Sequence, residues 1–341
     1  MSDEAKDNRS PPNCLWCGGD SHQELVTDIQ DRLQYAPGLW SYQQCTRCGS
    51  AVLTPHPTHE ETATFYPKAY TFGVDEHQPS RLKQILTSIE YRCFFKPQYD
   101  GQVKNILRET NLKSATPDSS PKRLLDIGCG RGLRLLSFRD QGFDVHGFDF
   151  QMEDVDYLWK KHNISATAGD VAKISNYFPA ASFDVISAFY LLEHVSDVDS
   201  ILKQCHELLK PGGWLVGAVP LIDSFQAKFF HRSWLNITEA PRHLSLPSRK
   251  GVQQACVRAG YEGVKITPDA LSLCAGVAGL SLFPSAAGAH FYGGSKLKPI
   301  LSRALAAAFA ALFLPWCAVE NYVLGRPSHG IIFARKRGED L

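Results

Sequence analysis

Residues 123–132 read RLLDIGCGRG, a short apolar run that leads directly into a glycine-rich turn. The apolar run has the length of a buried strand, and the residues from Arg131 onward, RGLRLLSFRDQG, have the pattern of a helix. Glycine at positions 128 and 130 permits unusual backbone dihedrals and lets a ligand approach the main chain closely. The sequence therefore predicts a strand, a tight turn and a helix, with a ligand at the turn.

An alternation of strands and helices continues from this point. Further strands are predicted at residues 144–150, 164–168, 183–189, 214–219, 261–266 and 330–336, and helices at 201–209 and 248–259. Helices between successive strands indicate an α/β fold with a mostly parallel sheet covered on both faces. Such sheets bind ligands at the carboxyl ends of their strands, near the topological switch point.

Acidic side chains at the ends of the first three strands suit a nucleoside. Asp126 can accept hydrogen bonds from backbone groups or a ligand amine, Asp149 from both hydroxyls of a ribose, and Asp170 from an adenine amino group. Phe150 can pack against a purine. A dinucleotide site, and with it an NAD-dependent enzyme, is disfavoured because G-x-G-x-x-G needs glycine at position 133, which is Leu. A glycine turn with a purely structural role is the alternative.

These motifs, with FDVISAFYLLEHV at 183–195 and LLKPGGWLV at 208–216, occur in register, and together they resemble class I S-adenosylmethionine-dependent methyltransferases. The resemblance covers about residues 122–266 and implies a Rossmann-like, seven-stranded methyltransferase sheet with S-adenosylmethionine as cofactor. It implies that Asp126, Gly128 and Gly130 surround the amino-acid moiety of the cofactor and that Asp149 holds its ribose. Asp170 would contact the edge of the adenine, and Phe150 and Val171 would flank the adenine ring. Ala188 and Phe189 would line the methionine side.

Two histidines are candidates for a general base. Methyl transfer from a sulfonium is an in-line displacement, so the enzyme mainly aligns the reacting atoms, and a hydroxyl acceptor benefits from a base. His194 follows the fourth strand, and His243 lies in APRHLSLPS, between the fifth strand and the next helix. Both stand where an acceptor would approach, and His243 is slightly favoured. A structural or surface role is the alternative for either residue.

LLEHV also resembles the quinone O-methyltransferases. In that family an acidic residue three positions before the Glu joins the Glu and His at a divalent metal. The corresponding residue here is Tyr190, which removes a hard oxygen ligand. We therefore expect no catalytic metal.

Two C-x-x-C pairs predict a zinc site near the N-terminus. The pairs are 27 residues apart, and each is followed by glycine, as in tight turns that present two thiolates to one tetrahedral Zn²⁺. A four-cysteine site has no open position, so its role would be structural. Redox dithiols and unligated thiols are the alternatives. The expected metal ligands are Cys14, Cys17, Cys45 and Cys48, in a zinc-ribbon module over residues 14–75.

The segment 14–70 resembles the N-terminal part of bacterial methyltransferases that act on sugars or related cell-surface metabolites. That resemblance implies a sugar-linked acceptor or a cell-surface or lipid precursor. It also implies that Tyr66 and Tyr70 approach the cofactor pocket; aromatic packing of the linker is the alternative.

The remaining organisation is a helical linker over 80–120, with a helix containing Leu82 to Ile89 and a loop at 111–121, then a methyltransferase domain over 121–341. That domain contains an apolar insertion at 270–325, in which residues 304–319 carry no charge. Sixteen residues are too few to span a bilayer. A buried helical cap before the last strand and a monotopic membrane contact remain alternatives, and the second would suit a quinone-like or lipid acceptor.

Composition excludes some classes of function. Thirty-six Lys and Arg against 35 Asp and Glu give a net charge of +1, which disfavours nucleic acid as a partner and leaves a small-molecule acceptor. The polar N-terminus has no apolar signal segment, so we expect a cytoplasmic protein, with peripheral contact to the inner face of the membrane as an option. A non-catalytic scaffold with a methyltransferase fold is the rival of another class.

Overall fold

The computed structural model describes residues 12–32, 35–66, 92, 95–112, 120–282 and 298–338. The helix predicted over 82–89, Tyr70, and most of the loop predicted at 111–121 lie outside the described residues. The described chain contains two sheets, one from the cysteine-containing segment and one from the strand–helix alternation.

The larger sheet has seven strands. They are β4 (Arg123–Ile127), β5 (Asp144–Asp149), β6 (Ser165–Ala168), β7 (Phe183–Phe189), β8 (Leu209–Pro220), β10 (Tyr261–Pro268) and β11 (His329–Lys336). Their order is β10-β11-β8-β7-β4-β5-β6, and β11 runs antiparallel to both of its neighbours. The order reverses between β4 and β7, which makes this the topological switch point. The predicted seven-stranded α/β sheet is confirmed.

Helices cover both faces of this sheet. They are α2 (Lys96–Thr110), α3 (Leu133–Asp140), α4 (Met152–His162), α5 (Val198–Leu208) and α7 (Arg249–Arg258). Helix α5 buries Val198, Ile201, Leu202, Cys205 and Leu208, the i, i+3, i+4 spacing of one helical face. Strand β8 begins at Leu209, five residues before the predicted strand, and continues through Pro211-Gly212-Gly213, where Gly212 adopts a left-handed φ of 76° and the pairing with β7 is irregular.

The smaller sheet contains the cysteine pairs and is completed from a distant part of the chain. Strands β1 (His22–Ile29), β2 (Trp40–Cys45) and β3 (Ala51–Thr54) precede the short helix α1 (His59–Thr64). The fourth strand, β9 (Ser245–Leu246), pairs with β3 and comes from the loop that follows helix α6 (Phe225–Phe230). Trp16 and the cysteines share a buried core with helix α7, so the two sheets are packed together.

The described part of the C-terminal insertion contains two helices. Helix α8 (Leu271–Leu282) and helix α9 (Lys298–Ala318) precede a π-helical turn (Val319–Val323) and strand β11. Although Gly and Ser weaken the helical pattern of residues 270–295, α8 is helical and buries Cys274, Ala275 and Ala278. These side chains share a core with Tyr42 and Trp234. No helix in the described part of the chain is both long and apolar enough to cross a membrane.

Candidate functional site

The glycine turn follows β4 and is fixed by its neighbour β5. Gly128 and Gly130 adopt φ of 71° and 48°, the left-handed region that glycine enters without strain. The Gly128 amide donates to the Phe148 carbonyl at 2.8 Å, and the Gly130 amide donates to Asp149 Oδ2 at 2.8 Å. The turn and the predicted ribose carboxylate are therefore held together at the carboxyl edge of the sheet.

Asp149 combines burial with hydrogen bonding. Its other oxygen, Oδ1, accepts from the Gln151 amide at 3.1 Å, and the residue is 5% exposed. Burial raises the pKa of this carboxyl, while the bond from the Gly130 amide opposes that rise. The adjacent Phe150 is 63% exposed, a large apolar ring left open beside the turn. Such a ring is available to a planar ligand.

The other predicted nucleoside contacts lie after β6. Asp170 Oδ1 accepts from the Ala172 amide at 2.9 Å and so caps the short 3₁₀ helix Val171–Asn176. Asp170 and Val171 are both partly exposed. Their position at the end of β6 is the one the sequence predicts for residues beside a purine.

The methionine side of the predicted cofactor site is more deeply buried. Asp126 is 2% exposed, and its Oδ1 accepts from Ser187 Oγ at 2.6 Å. Ala188 and Phe189, at the end of β7, are also buried. The guanidinium of Arg134 lies 3.7 Å from the centre of the Phe189 ring. This positive charge beside the glycine turn was not predicted, although it lies in the first turn of the helix that follows the turn.

The two candidate bases, His194 and His243, lie next to each other beyond the end of strand β7. His194 ends the 3₁₀ turn Leu192–His194 after β7, and its ring centre is 4.7 Å from that of His243. His243 Nδ1 lies 2.9 Å from the Asn236 carbonyl, which can only accept, so Nδ1 carries the proton. In the neutral ring, Nε2 of His243 then keeps a free lone pair.

Burial controls the charge of this cluster. It lowers the pKa of His194 to about 4 and, with the neighbouring His194, holds the pKa of His243 well below its ordinary value. Burial also raises the pKa of Glu193 to about 8, and the Oε2 atom of Glu193 has no hydrogen-bond partner within the described chain. Near pH 7 the two imidazoles are neutral and able to accept a proton.

Tyr66 connects the base cluster with the predicted cofactor site. Its hydroxyl lies 2.9 Å from His194 Nδ1, and its ring centre is 6.0 Å from that of Phe150. A residue from the N-terminal segment therefore contacts both the exposed ring and the base cluster. The resemblance to sugar methyltransferases predicted that Tyr66 approaches this pocket; Tyr70 is outside the described residues.

Tyr190 does not join the base cluster. It adopts a φ of 56°, and its hydroxyl donates to the buried carboxylate of Asp269. Glu193, His194 and His243 nevertheless bring one potential ligand atom each within 4.8 Å of the others, a spacing that can hold a cation. The expectation of no catalytic metal stays a prediction.

The four predicted zinc ligands converge. Their Sγ atoms all lie within 4.8 Å of one another, and Cys14 to Cys48 and Cys17 to Cys45 are separated by 3.6 and 3.5 Å. A disulfide needs about 2.0 Å, whereas thiolates around tetrahedral zinc at ~2.3 Å lie ~3.8 Å apart. Hydrogen bonding to Cys48, followed by burial, raises the pKa of Cys14. A cation at the centre would remove that penalty, so the donor set fits zinc.

Comparisons with known proteins identify the larger sheet. The sequence profile described as "Methyltransferase domain" matches residues 99–266. Together with the order of its seven strands, this match shows that the chain carries the fold of a class I S-adenosylmethionine-dependent methyltransferase, as its motifs predicted.

Several curated relatives share one name. The ubiquinone biosynthesis O-methyltransferase of Paraburkholderia phymatum is 36% identical over 99 residues, 28% of this chain and 42% of the relative. That of Haemophilus ducreyi is 30% identical over 153 residues, 42% of this chain and 63% of the relative. That of Pseudomonas aeruginosa is 33% identical over 123 residues, 35% of this chain and 51% of the relative. The chain thus spans about half the length of these relatives.

A solved structure, of an S-adenosylmethionine-dependent methyltransferase from Archaeoglobus fulgidus, is also similar. It has a TM-score of 0.43 and 17% identity, and the match covers 74% of this chain and 99% of that one.

The first prediction concerns Asp149. If its carboxylate holds a ribose, Asp149→Ala should weaken S-adenosylhomocysteine binding by about tenfold or more, since a charge-assisted hydrogen bond contributes about 1.5–3 kcal/mol. Isothermal titration calorimetry measures the affinity. Asp156→Ala, which removes an exposed carboxylate paired with Lys160 on α4, is the matched control and should bind normally. Unchanged affinity in Asp149→Ala would remove this residue from the cofactor site.

The second prediction concerns the cysteine cluster. Metal analysis should find about one zinc per chain, and Cys45→Ser should lose the zinc and melt at a lower temperature, because three thiolates hold the ion less tightly. Cys205→Ala, which removes a buried thiol of α5, should retain the zinc. A metal-free wild-type protein that is fully folded would contradict the prediction.

Proposed function

We propose that the protein transfers a methyl group from S-adenosylmethionine to a hydroxyl of a small, quinone-like or lipid-like acceptor. One observation supports this most: Tyr66 contacts both Phe150 of the predicted cofactor site and His194 of the base cluster. A nucleoside site and a proton acceptor this close together suit group transfer to a hydroxyl. The curated relatives described above are named ubiquinone biosynthesis O-methyltransferases, which agrees with an oxygen acceptor.

The cofactor supplies an activated methyl group, and the side chains supply alignment and charge. Asp149 would hold the ribose, with Phe150 against the adenine. Arg134 would pair with the carboxylate of the amino-acid moiety, since its charge lies beside the glycine turn on the ring of Phe189. Asp170 and Val171 would border the adenine. Fixed groups on three strand ends limit movement of the methyl group relative to an acceptor.

His243 would take the proton of the acceptor hydroxyl. Its Nδ1 proton is used by the Asn236 carbonyl, so Nε2 is the basic atom, and burial keeps the ring neutral at pH 7. His194, whose ring is adjacent, is the alternative base. A base whose pKa is lowered in this way is weak, and the identity of the acceptor therefore matters.

The weakness of the base favours an aromatic hydroxyl. A phenol-type hydroxyl ionises near pH ~10, whereas an alcohol ionises closer to water, at ~15.7. The difference in pKa between a buried imidazole and a phenol-type hydroxyl is smaller than that between the imidazole and an alcohol, so proton transfer from the phenol-type hydroxyl is easier. This favours a quinol-like acceptor over the sugar hydroxyl that the N-terminal resemblance suggests, and the relatives described above carry no sugar in their names.

The apolar insertion would contact a membrane surface or the apolar part of the acceptor. Tyr322 and Val323 are 68% and 74% exposed at its end. Lys228 and Arg326 lie within 6.0 Å of the ring centre of Phe225, at the base of the insertion. Apolar side chains beside basic ones are typical of surfaces that bind anionic lipid. A structural zinc held by the four cysteines completes the proposal.

The third prediction tests the base. His243→Ala should lower turnover by about 10²-fold or more while S-adenosylhomocysteine affinity is unchanged, because a general base contributes to the chemical step alone. The wild-type rate should show no acidic limb between pH 6 and 7.5, since a base with a strongly lowered pKa stays neutral there. Equal turnover in the variant, or a limb near pH 6.5, would exclude this role.

The fourth prediction tests the acceptor. The purified protein is incubated with methyl-labelled S-adenosylmethionine and a small-molecule cell extract, and the products are partitioned between water and organic solvent. We expect label in the organic phase, in an amount that rises when vesicles of anionic phospholipid are added. Label confined to the aqueous phase would indicate a sugar or another polar acceptor and would leave the insertion as a folded cap. The absence of any labelled product would favour the alternative of a non-catalytic scaffold with a methyltransferase fold.

A further inference from the structure

The segment that carries His243 lies between the two sheets. On the methyltransferase side, the Leu244 amide donates to the Glu193 carbonyl at 2.8 Å. On the other side, residues 245–246 form β9 and pair with β3 of the cysteine-containing sheet. Both faces of this short segment are therefore bonded, one to the base cluster and one to the ribbon.

Tyr42 of strand β2 bonds directly to the candidate base. Its hydroxyl donates to the main-chain carbonyl of His243 at 2.8 Å, and the side chain is fully buried. The bond fixes the backbone from which the imidazole projects. Because the residue is 0% exposed, no water competes for that carbonyl.

Asp31 bonds to the residue before the base. The Arg242 guanidinium donates to Asp31 Oδ1 at 2.6 Å and to Oδ2 at 3.1 Å, and the two side chains are 0% and 1% exposed. Asp31 Oδ2 also accepts from the Tyr35 and Ala36 amides. A charge this deeply buried must keep its partner, so Arg242 cannot move without the loop that follows β1.

The cysteine turns hold the far end of the same segment. Trp16, between Cys14 and Cys17, donates from Nε1 to Ser245 Oγ at 2.9 Å. The Cys48 carbonyl accepts from Ser248 Oγ at 2.6 Å. Two hydrogen bonds therefore connect the turns that carry the four thiols to Ser245 and Ser248, which follow His243 in the chain.

We propose that Asp31 and Tyr42, both from the zinc ribbon, are positioning residues for His243. The ribbon then completes the base site, and the hydroxyl of Tyr42 sets turnover rather than cofactor affinity. The proposal rests on the function proposed above, in which His243 takes the proton. The glycine turn and Asp149 are held by β4 and β5, so their affinity for the cofactor should not depend on Tyr42.

Tyr42→Phe is the sharpest test, because it deletes one hydroxyl and leaves the buried ring. We expect turnover to fall about tenfold, as small displacements of a catalytic group do, with unchanged affinity for S-adenosylhomocysteine and a nearly unchanged melting temperature. The matched control is Tyr261→Phe: Tyr261 is also buried, and its hydroxyl donates to the Leu202 carbonyl at 3.1 Å, away from the site. This control should turn over normally.

A double-mutant cycle with His243→Ala decides whether the effect passes through the base. We expect Tyr42→Phe to add nothing once the imidazole is absent. A fully active Tyr42→Phe, an equal loss of turnover in the His243→Ala background, or a parallel loss of cofactor binding would each overturn the proposal. A fully active His243→Ala would show that the proposed base is wrong. An impaired His243→Ala together with a fully active Tyr42→Phe would instead keep the base and overturn only the positioning role.

Discussion

The buried ion pair between Arg242 and Asp31 is the constraint on which the arrangement of the site depends. A guanidinium with no exposed surface is tolerable only beside a carboxylate that is itself buried and hydrogen-bonded. Asp31 follows strand β1 of the ribbon, and Arg242 lies in the connection between β8 and β10 of the methyltransferase sheet, so the pair joins the two parts of the chain. The ribbon and the methyltransferase sheet are consequently one packed unit, with the base segment between them.

The parallel sheet explains why the remaining functional side chains meet. Strands β4, β5 and β7 end at the same edge, and the glycine turn, Asp149 and the Glu193–His194 turn follow them directly. At the switch point the neighbouring connections diverge to opposite faces, which opens a crevice. The ribbon adds what the sheet lacks, because Tyr66 reaches the crevice from the N-terminal segment and contacts both sides of it.

Local patterns predicted those parts of the molecule that local chemistry determines. Strand β7 has the predicted bounds, since the mostly apolar run FDVISAF has the length of a buried strand. The two thiols of each C-x-x-C pair lie close together because that spacing forms a tight turn, and all four thiols converge as predicted. The pairing of β9 with β3 could not be predicted, because a two-residue strand has no periodicity. The Asp31–Arg242 pair, 211 residues apart, likewise has no local signal.

Burial imposes a compromise on the candidate base. Desolvation keeps the imidazoles of His194 and His243 neutral, so they are ready to accept a proton, but it also makes each a weaker acceptor than an exposed histidine. The same desolvation holds the proton on Glu193 up to about pH 8, so this carboxyl contributes little negative charge to stabilise an imidazolium near neutrality. If His243 is the base, the proposed reaction therefore needs an acceptor that is already acidic. A quinol-type hydroxyl, the acceptor proposed above, would meet that requirement, and its apolar ring would also exclude water from the reacting atoms.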